Sequence, residues 1–258
     1  MNPDPLPPEP ATVPPAAHVS QTIPANASPA ATPAAAAPPG EVGIQAGEII
    51  PGKTEEQARS WYFERLEHHK KFTETVHKLI CGLLDDRRIL IVDVIPRVKK
   101  LDSFLGKLKR KPDYRDFSDC EDICGCRIIC VTSAQIDEVR LLIEEQFHPT
   151  EQFWHKPEDS GDNIKFGYRS YHMMVELNAA RKALTENAQF LTAKCELQIR
   201  TAFQEAWSAL DHKVAYKPEA KTDPNIRRAI QRIAALVELA DKEWEEIYKK
   251  VWGGATND

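Results

Sequence analysis

Two short stretches of this chain carry carboxylates where a packed core has no use for them. In "KCELQIRTAFQEAW" (194–207), Glu196, Gln198 and Arg200 alternate with Leu197 and Ile199. On a strand, alternation sends the polar set to one face and the apolar set to the other. In "DCEDICGCRIIC" (119–130), Asp122 and Arg127 bracket Gly125, a residue type that permits close backbone approach. Two readings fit. The polar set is either an exposed sheet face or the wall of a cleft that sets Glu196 beside Asp122, where two carboxylates can hold a magnesium ion against the phosphates of a nucleotide.

Two further stretches could supply the complementary groups. Lys99, Ser103, Lys107 and Arg110 recur at steps of four, four and three, sharing one helix face opposite Leu101, Phe104, Leu105 and Leu108, with Arg97 and Lys109 flanking them. Such a face is either solvated or phosphate-binding, with Arg giving planar donors and Lys point charges. "GYRSYHMMVEL" (167–177) opens a strand with Tyr168, Arg169 and His172, close behind Lys165. A ring, a cation and an imidazole there are either the solvated start of a strand or a ligand site on a sheet rim.

Two patterns point elsewhere. "GEIIPGKT" (47–54) matches a phosphate-binding loop literally, but such a loop follows a buried strand, and the residues before it are rich in Pro and Ala. Cys124, Cys126 and Cys130 share strand parity with Ile128 and read as small core side chains, since no second ligand cluster at zinc spacing accompanies them.

The elements that would position these residues follow from periodicity. Residues 54–86 predict a helix capped by Thr54, with Tyr62, Leu66, His69, Thr73, Val76, Ile80 and Leu83 along its apolar stripe. A strand is expected over 89–95, ending at Pro96, then a helix over 98–110. A buried strand at 123–131 leads to a helix at 133–147 capped by Ser133. Strands at Tyr171–Leu177 and Phe190–Ile199 precede helices at 202–216 and 223–252, the last starting at Asp223-Pro224. Strands mixed with helices indicate one sheet under helical cover, α/β or α+β. In the last helix, Ile226, Ile230, Ile233, Val237, Ala240, Trp244, Ile247 and Val251 form a narrow seam. That seam either docks on helix 54–86 or joins copies of the chain.

Composition sets the limits. Residues 1–51 hold 13 of the 19 prolines and have no Lys or Arg, so residues 1–50 are expected to be a disordered Pro/Ala-rich tail ahead of one domain over 51–258. The tail lacks the basic start and apolar core of a signal peptide, and no segment approaches the ~20 apolar residues of a membrane span. With a net charge of −5, the chain is not a general nucleic-acid binder, and any anionic ligand must be met by a local group of cations. These features indicate a cytoplasmic protein.

Together, R-V-K…S…K-x-K-R (97–110), D-x-x-G-x-R-I (122–128), G-Y-R-S-Y-H (167–172) and E-L-Q-I-R-T (196–201) resemble the synthetase domain of the RelA/SpoT alarmone synthetases, especially the small stand-alone members. The likeness continues through Trp207, His212, Tyr216 and Lys217 and covers about residues 54–250. It implies an α+β fold, a nucleotidyltransferase-like mixed sheet flanked by helices. It also implies Mg2+-dependent transfer of the β,γ-pyrophosphate of ATP to the ribose 3′-hydroxyl of GDP or GTP. By motif, Arg97 and Arg127 would sandwich adenine, and Lys99, Ser103, Lys107 and Lys109 would hold the ATP phosphates. Asp122 and Glu196 would bind magnesium, with Glu196 also activating the hydroxyl. Lys165, Tyr168, Arg169, His172, Gln198, Arg200 and His212 would face the acceptor. Where related small synthetases carry Asn to recognise guanine, this chain has Glu205, whose carboxylate can accept from guanine N1–H and the 2-amino group. An adenine nucleotide or a tRNA 3′ end therefore stays open as acceptor, as does a catalytically silent nucleotide-binding regulator. Relatives commonly form tetramers through helical contacts, which favours a homo-oligomer.

Overall fold

A computed structural model describes residues 47–155, 170–215 and 223–252, with the side chains of 154–155 and 211–215 excepted. The expected tail lies outside these residues up to position 46. The described part begins with a small hairpin of β1 (Glu48–Ile50) and β2 (Lys53–Thr54). Gly47 and Gly52 take positive φ (92° and 72°), a conformation that glycine adopts without a Cβ penalty. Ile49 and Ile50 are buried, so the ordered fold starts ahead of the expected boundary at 50. This hairpin is what the GxxxxGKT match builds. Lys53 is committed to an ion pair with Asp116 and sits over the Phe117 ring at 4.9 Å.

Helix α1 (Glu55–Asp86) begins with a reciprocal capping box: Gln57 N–H donates to the Thr54 hydroxyl (3.3 Å) and Thr54 N–H donates to the Gln57 side chain (2.8 Å). Its buried stripe runs through Tyr62, Phe72, Thr73, Val76, Ile80 and Leu84; Leu83, expected in the stripe, is only partly buried.

The sheet comprises β3 (Ile91–Val98), β4 (Cys124–Cys130), β5 (Phe147–His155), β6 (Ser170–Leu177) and β7 (Cys195–Thr201), in the order β3-β4-β7-β6-β5. Only the central β4/β7 pair is parallel, so the sheet is mixed and the fold α+β. β3 does not stop at Pro96 but continues to Val98, pairing Pro96 with Cys126. An edge strand tolerates the missing N–H. β7 starts at Cys195 and not at Phe190, which closes a 3₁₀ turn over Thr185–Phe190.

One face of the sheet is apolar. Cys124, Cys126, Ile128 and Cys130 of β4, Tyr171, Met173 and Val175 of β6, and Leu197 and Ile199 of β7 form a single core with α1 and α3 (Ala134–Gln146). These cysteines are core residues; all six of the chain are free thiols, five of them buried and Cys81 partly so. A second cluster joins Ile49, Ile50 and Tyr62 to Phe104, Leu105 and Leu108 of α2 (Leu101–Arg110), fixing α2 beside the start of β4. Ser133 precedes α3 without capping it. Its hydroxyl donates to Glu245, and Gln135 instead accepts from the Val131 and Thr132 N–H groups (2.9 and 3.1 Å).

A short α4 (Ala179–Lys182) follows β6. Helix α5 (Ala202–Ala215) follows β7 directly, and α6 (Pro224–Trp252) packs on α5 through its buried Ala234 and Asp241. Among the described residues no helix is long and apolar enough to cross a membrane.

Candidate active site

The opposite sheet face is polar, and its register assembles the site. Gly125 pairs with Glu196, Arg127 with Gln198, Arg97 with Gly125, and His172 with Gln198. Paired residues of adjacent strands share a face, so Arg97, Arg127, Glu196, Gln198 and His172 line up across four strands. Arg97, Lys99, Asp122, Arg127, Glu196 and Gln198 line one cleft there. An alanine Cβ at Gly125 would make only ordinary contacts, 3.4 Å from the Glu196 carbonyl and 3.6 Å from that of Arg97, and its φ is not positive. Close backbone approach therefore does not require this glycine; its missing side chain leaves space on the cleft floor.

Asp122 stands just ahead of β4 and accepts ion pairs from Lys99 (3.0 Å) and Lys107 (2.9 Å). Burial opposes its ionisation most strongly, but the two ammonium groups outweigh burial and hold its pKa below the usual carboxylate range. Burial likewise works against charge on Lys107, yet Asp122 prevails and pushes its pKa up to about 12. The Tyr62 hydroxyl donates to the Lys99 carbonyl (2.7 Å), tying the turn that carries Lys99 to α1.

Glu196 is held at both oxygens: by His172 Nδ1 at 3.1 Å and by the Gln198 amide at 2.9 Å. Burial raises its pKa and so does the nearby Asp122 charge, but His172 and Gln198 bring the net value below the usual range. Both carboxylates are thus anionic at neutral pH, close enough to feel each other.

The other expected site residues are placed differently. Ser103 is exposed on α2, and Lys109 reaches Glu55 of α1 (2.8 Å), away from Asp122. Glu205, in the first turn of α5, pairs with Arg127 (2.8 Å) and Arg200 (3.1 Å). Lys165, Tyr168 and Arg169 lie outside the described residues, as does the His212 side chain. Sequence reading missed the capping box of α5, in which Gln204 N–H donates to Thr201 Oγ1 (3.1 Å) and Thr201 N–H to the Gln204 side chain (3.2 Å). The T-x-x-Q spacing after a strand was its signal.

Residues 96–221 match the region found in RelA / SpoT proteins, so the chain carries a domain of the RelA/SpoT family. Its relatives include GTP pyrophosphokinase YjbM of Bacillus subtilis (strain 168), 29% identical over 161 residues that make up 61% of this chain and 72% of that protein. The crystal structure of small alarmone synthetase 1 from Bacillus subtilis shares the fold with a TM-score of 0.61 at 24% identity, covering 74% of this chain and 97% of that one. The structure of that synthetase bound to its product pppGpp matches with a TM-score of 0.61 at 23% identity, over 75% and 98% of the two chains.

Proposed function

We propose that this chain is a pyrophosphokinase that moves the β,γ-pyrophosphate of ATP to the ribose 3′-hydroxyl of GDP or GTP. The observation that carries the reading is the meeting of two anionic carboxylates, Asp122 and Glu196, with Arg97, Lys99 and Arg127 in one cleft of a RelA/SpoT domain. A relative named GTP pyrophosphokinase and a similar fold bound to pppGpp support it.

Arg97 and Arg127 present planar guanidinium faces suited to adenine, and Lys99 and Lys107 bring positive charge to the phosphates. The acceptor 3′-oxygen bonds to the β-phosphorus as its proton passes to the Glu196 carboxylate. The bond from the β-phosphorus to its α-bridging oxygen breaks, and AMP leaves with the electron pair. His172 and Gln198 orient Glu196 for that proton. On the acceptor side, Lys165, Tyr168, Arg169 and His212 would meet base, ribose or phosphate, with Arg200 buried behind Gln198.

The donor set suits magnesium: two carboxylate oxygen ligands from one cleft, with the remaining positions left for water and substrate phosphates. Among the described residues no group of three or more His, Cys, Asp or Glu is gathered to hold a metal ion. When bound by Asp122 and Glu196, magnesium would neutralise charge building on the transferred phosphates.

The test is incubation with γ-labelled ATP and GDP, GTP, ADP or tRNA in turn, the products separated by chromatography. Label in the guanine nucleotide, with one AMP released per transfer, is the expected result. Label on ADP or tRNA alone would keep the chemistry and replace the acceptor; nucleotide binding without transfer would leave a silent regulator.

A further inference from the structure

We propose that Glu205 is a positioning residue that holds Arg127 on the cleft wall and ties it to the buried Arg200, and not a reader of the acceptor base; its consequence for ATP rests on the reading above. Oε1 accepts a hydrogen bond from Arg127 Nη1 at 2.8 Å, and Oε2, buried and without a hydrogen bond of its own, lies 3.1 Å from Arg200 Nη1 as an ion pair. A base offering two N–H groups to Glu205 would have to displace Arg127 from Oε1 and reach Oε2, which is buried beside Arg200.

The sheet shows why an anion is needed here. Arg127 lies opposite Gln198, so Arg127 and Arg200 sit diagonally on adjacent parallel strands, facing the same way. Two like charges on neighbouring strands repel, and Arg200 is only 3% exposed. Removing the carboxylate would take a negative charge from beside a buried guanidinium.

Glu205 is itself fixed. It occupies the first turn of α5, which the Thr201–Gln204 capping box locks to the end of β7, and the Gln204 amide also donates to Asp241 of α6 (3.2 Å). From the pair the contacts continue across the site: Arg200 donates to Gln198, and Gln198 donates to Glu196. One carboxylate therefore orients Arg127 at one end and supports the Gln198–Glu196 contact at the other.

The experiment compares the unmodified chain with Glu205→Gln, which keeps the shape and removes the charge, and with Glu205→Asp as the conservative rescue. Three quantities are measured: affinity for an α,β-methylene analogue of ATP, the KM of each substrate, and the preference for GDP over ADP as acceptor. Glu205→Gln should weaken analogue binding about tenfold and raise the KM of ATP, with base preference unchanged, and Glu205→Asp should recover part of the loss. A switch of base preference with analogue affinity intact would overturn the proposal. Denaturant unfolding of Arg127→Met, Glu205→Gln and the double variant tests the clamp without any substrate. Additive effects in that cycle overturn it. Coupled unfolding effects in a chain that neither binds the analogue nor transfers pyrophosphate would retain the clamp and reject the pyrophosphokinase reading.

Discussion

Taking away the Asp122 carboxylate would leave Lys99 and Lys107 facing one another without the anion they share. Asp122→Asn should therefore abolish pyrophosphate transfer twice over, by losing a metal ligand and by freeing the two cations. Glu196→Gln should do so by losing the proton acceptor. For both, a loss of at least about a thousandfold in kcat is expected, with circular dichroism unchanged. Lys53→Ala should keep its activity, because Lys53 serves the hairpin through Asp116; an inactive Lys53→Ala beside an active Glu196→Gln would reverse the assignment of the site. His69 gives a second prediction at this scale. Burial, with smaller contributions from His68 and Arg65, pushes its pKa down from 6.5 to about 4. The unfolded chain takes up the His69 proton near pH 6.5 while the folded chain refuses it until about pH 4, so stability falls as pH drops through that window. Allowing for solvent screening, the loss is on the order of 1–2 kcal/mol, and His69→Gln should flatten the slope of unfolding midpoint against pH. Below pH 4 a further loss follows as Asp122 and Glu196, whose folded pKa values are depressed, take up protons.

Helix α2 reaches the cleft only because its apolar face is anchored. Phe104 is fully buried and stacks on Trp61 with ring centroids 5.7 Å apart. Phe104→Ala should cost about 3–5 kcal/mol in denaturant unfolding and weaken ATP binding as well, since Lys107 rides on that helix. If ATP affinity survives the substitution, Lys107 is not held by α2 seating. Much of this architecture could be read from pattern: alternation marked β4 and β7, and steps of three and four marked α1, α2 and α6. β5 escaped because "FHPTEQFWH" is a polar run containing Pro149, as suits an edge strand with little to bury. The site was legible where a motif's residues share one strand face, as Glu196 and Gln198 do. It was illegible where a partner comes from far along the chain: Lys109 meets Glu55, 54 positions away, and Arg127 meets Glu205, 78 positions away. Periodicity records which face a residue is on, not which distant side chain arrives there.

At the scale of the whole molecule, α6 uses only part of its apolar surface. It packs on α5, yet Ile233 (48%), Leu236 (63%), Ile247 (48%) and Val251 (60%) remain exposed. Apolar residues left in one row on a long helix favour a second copy of the chain, and we expect a homo-oligomer, with a tetramer the favoured state. Ile233→Glu with Leu236→Glu should convert it to monomers that keep their helical content, read by analytical ultracentrifugation at micromolar concentration. An unmodified chain that already sediments as a monomer there would end the proposal.

The unpaired cysteines make the molecule its own clock. Cys120, Cys124, Cys126, Cys130 and Cys195 are buried, and Cys81 alone is partly open to solvent. Burial pushes the thiols of Cys120 and Cys130 up to about 12 and that of Cys124 up to about 11, so almost no thiolate forms at neutral pH. A thiol reagent should therefore mark Cys81 first and then wait. Four of the remaining five lie on the adjoining strands β4 and β7, so they should react together, at the rate at which the centre of the sheet opens. Should ligand bridge Asp122 on the β4 side and Glu196 on β7, that second phase would lengthen on its addition while the first stayed put. The delay would report occupancy of the cleft without any turnover being measured.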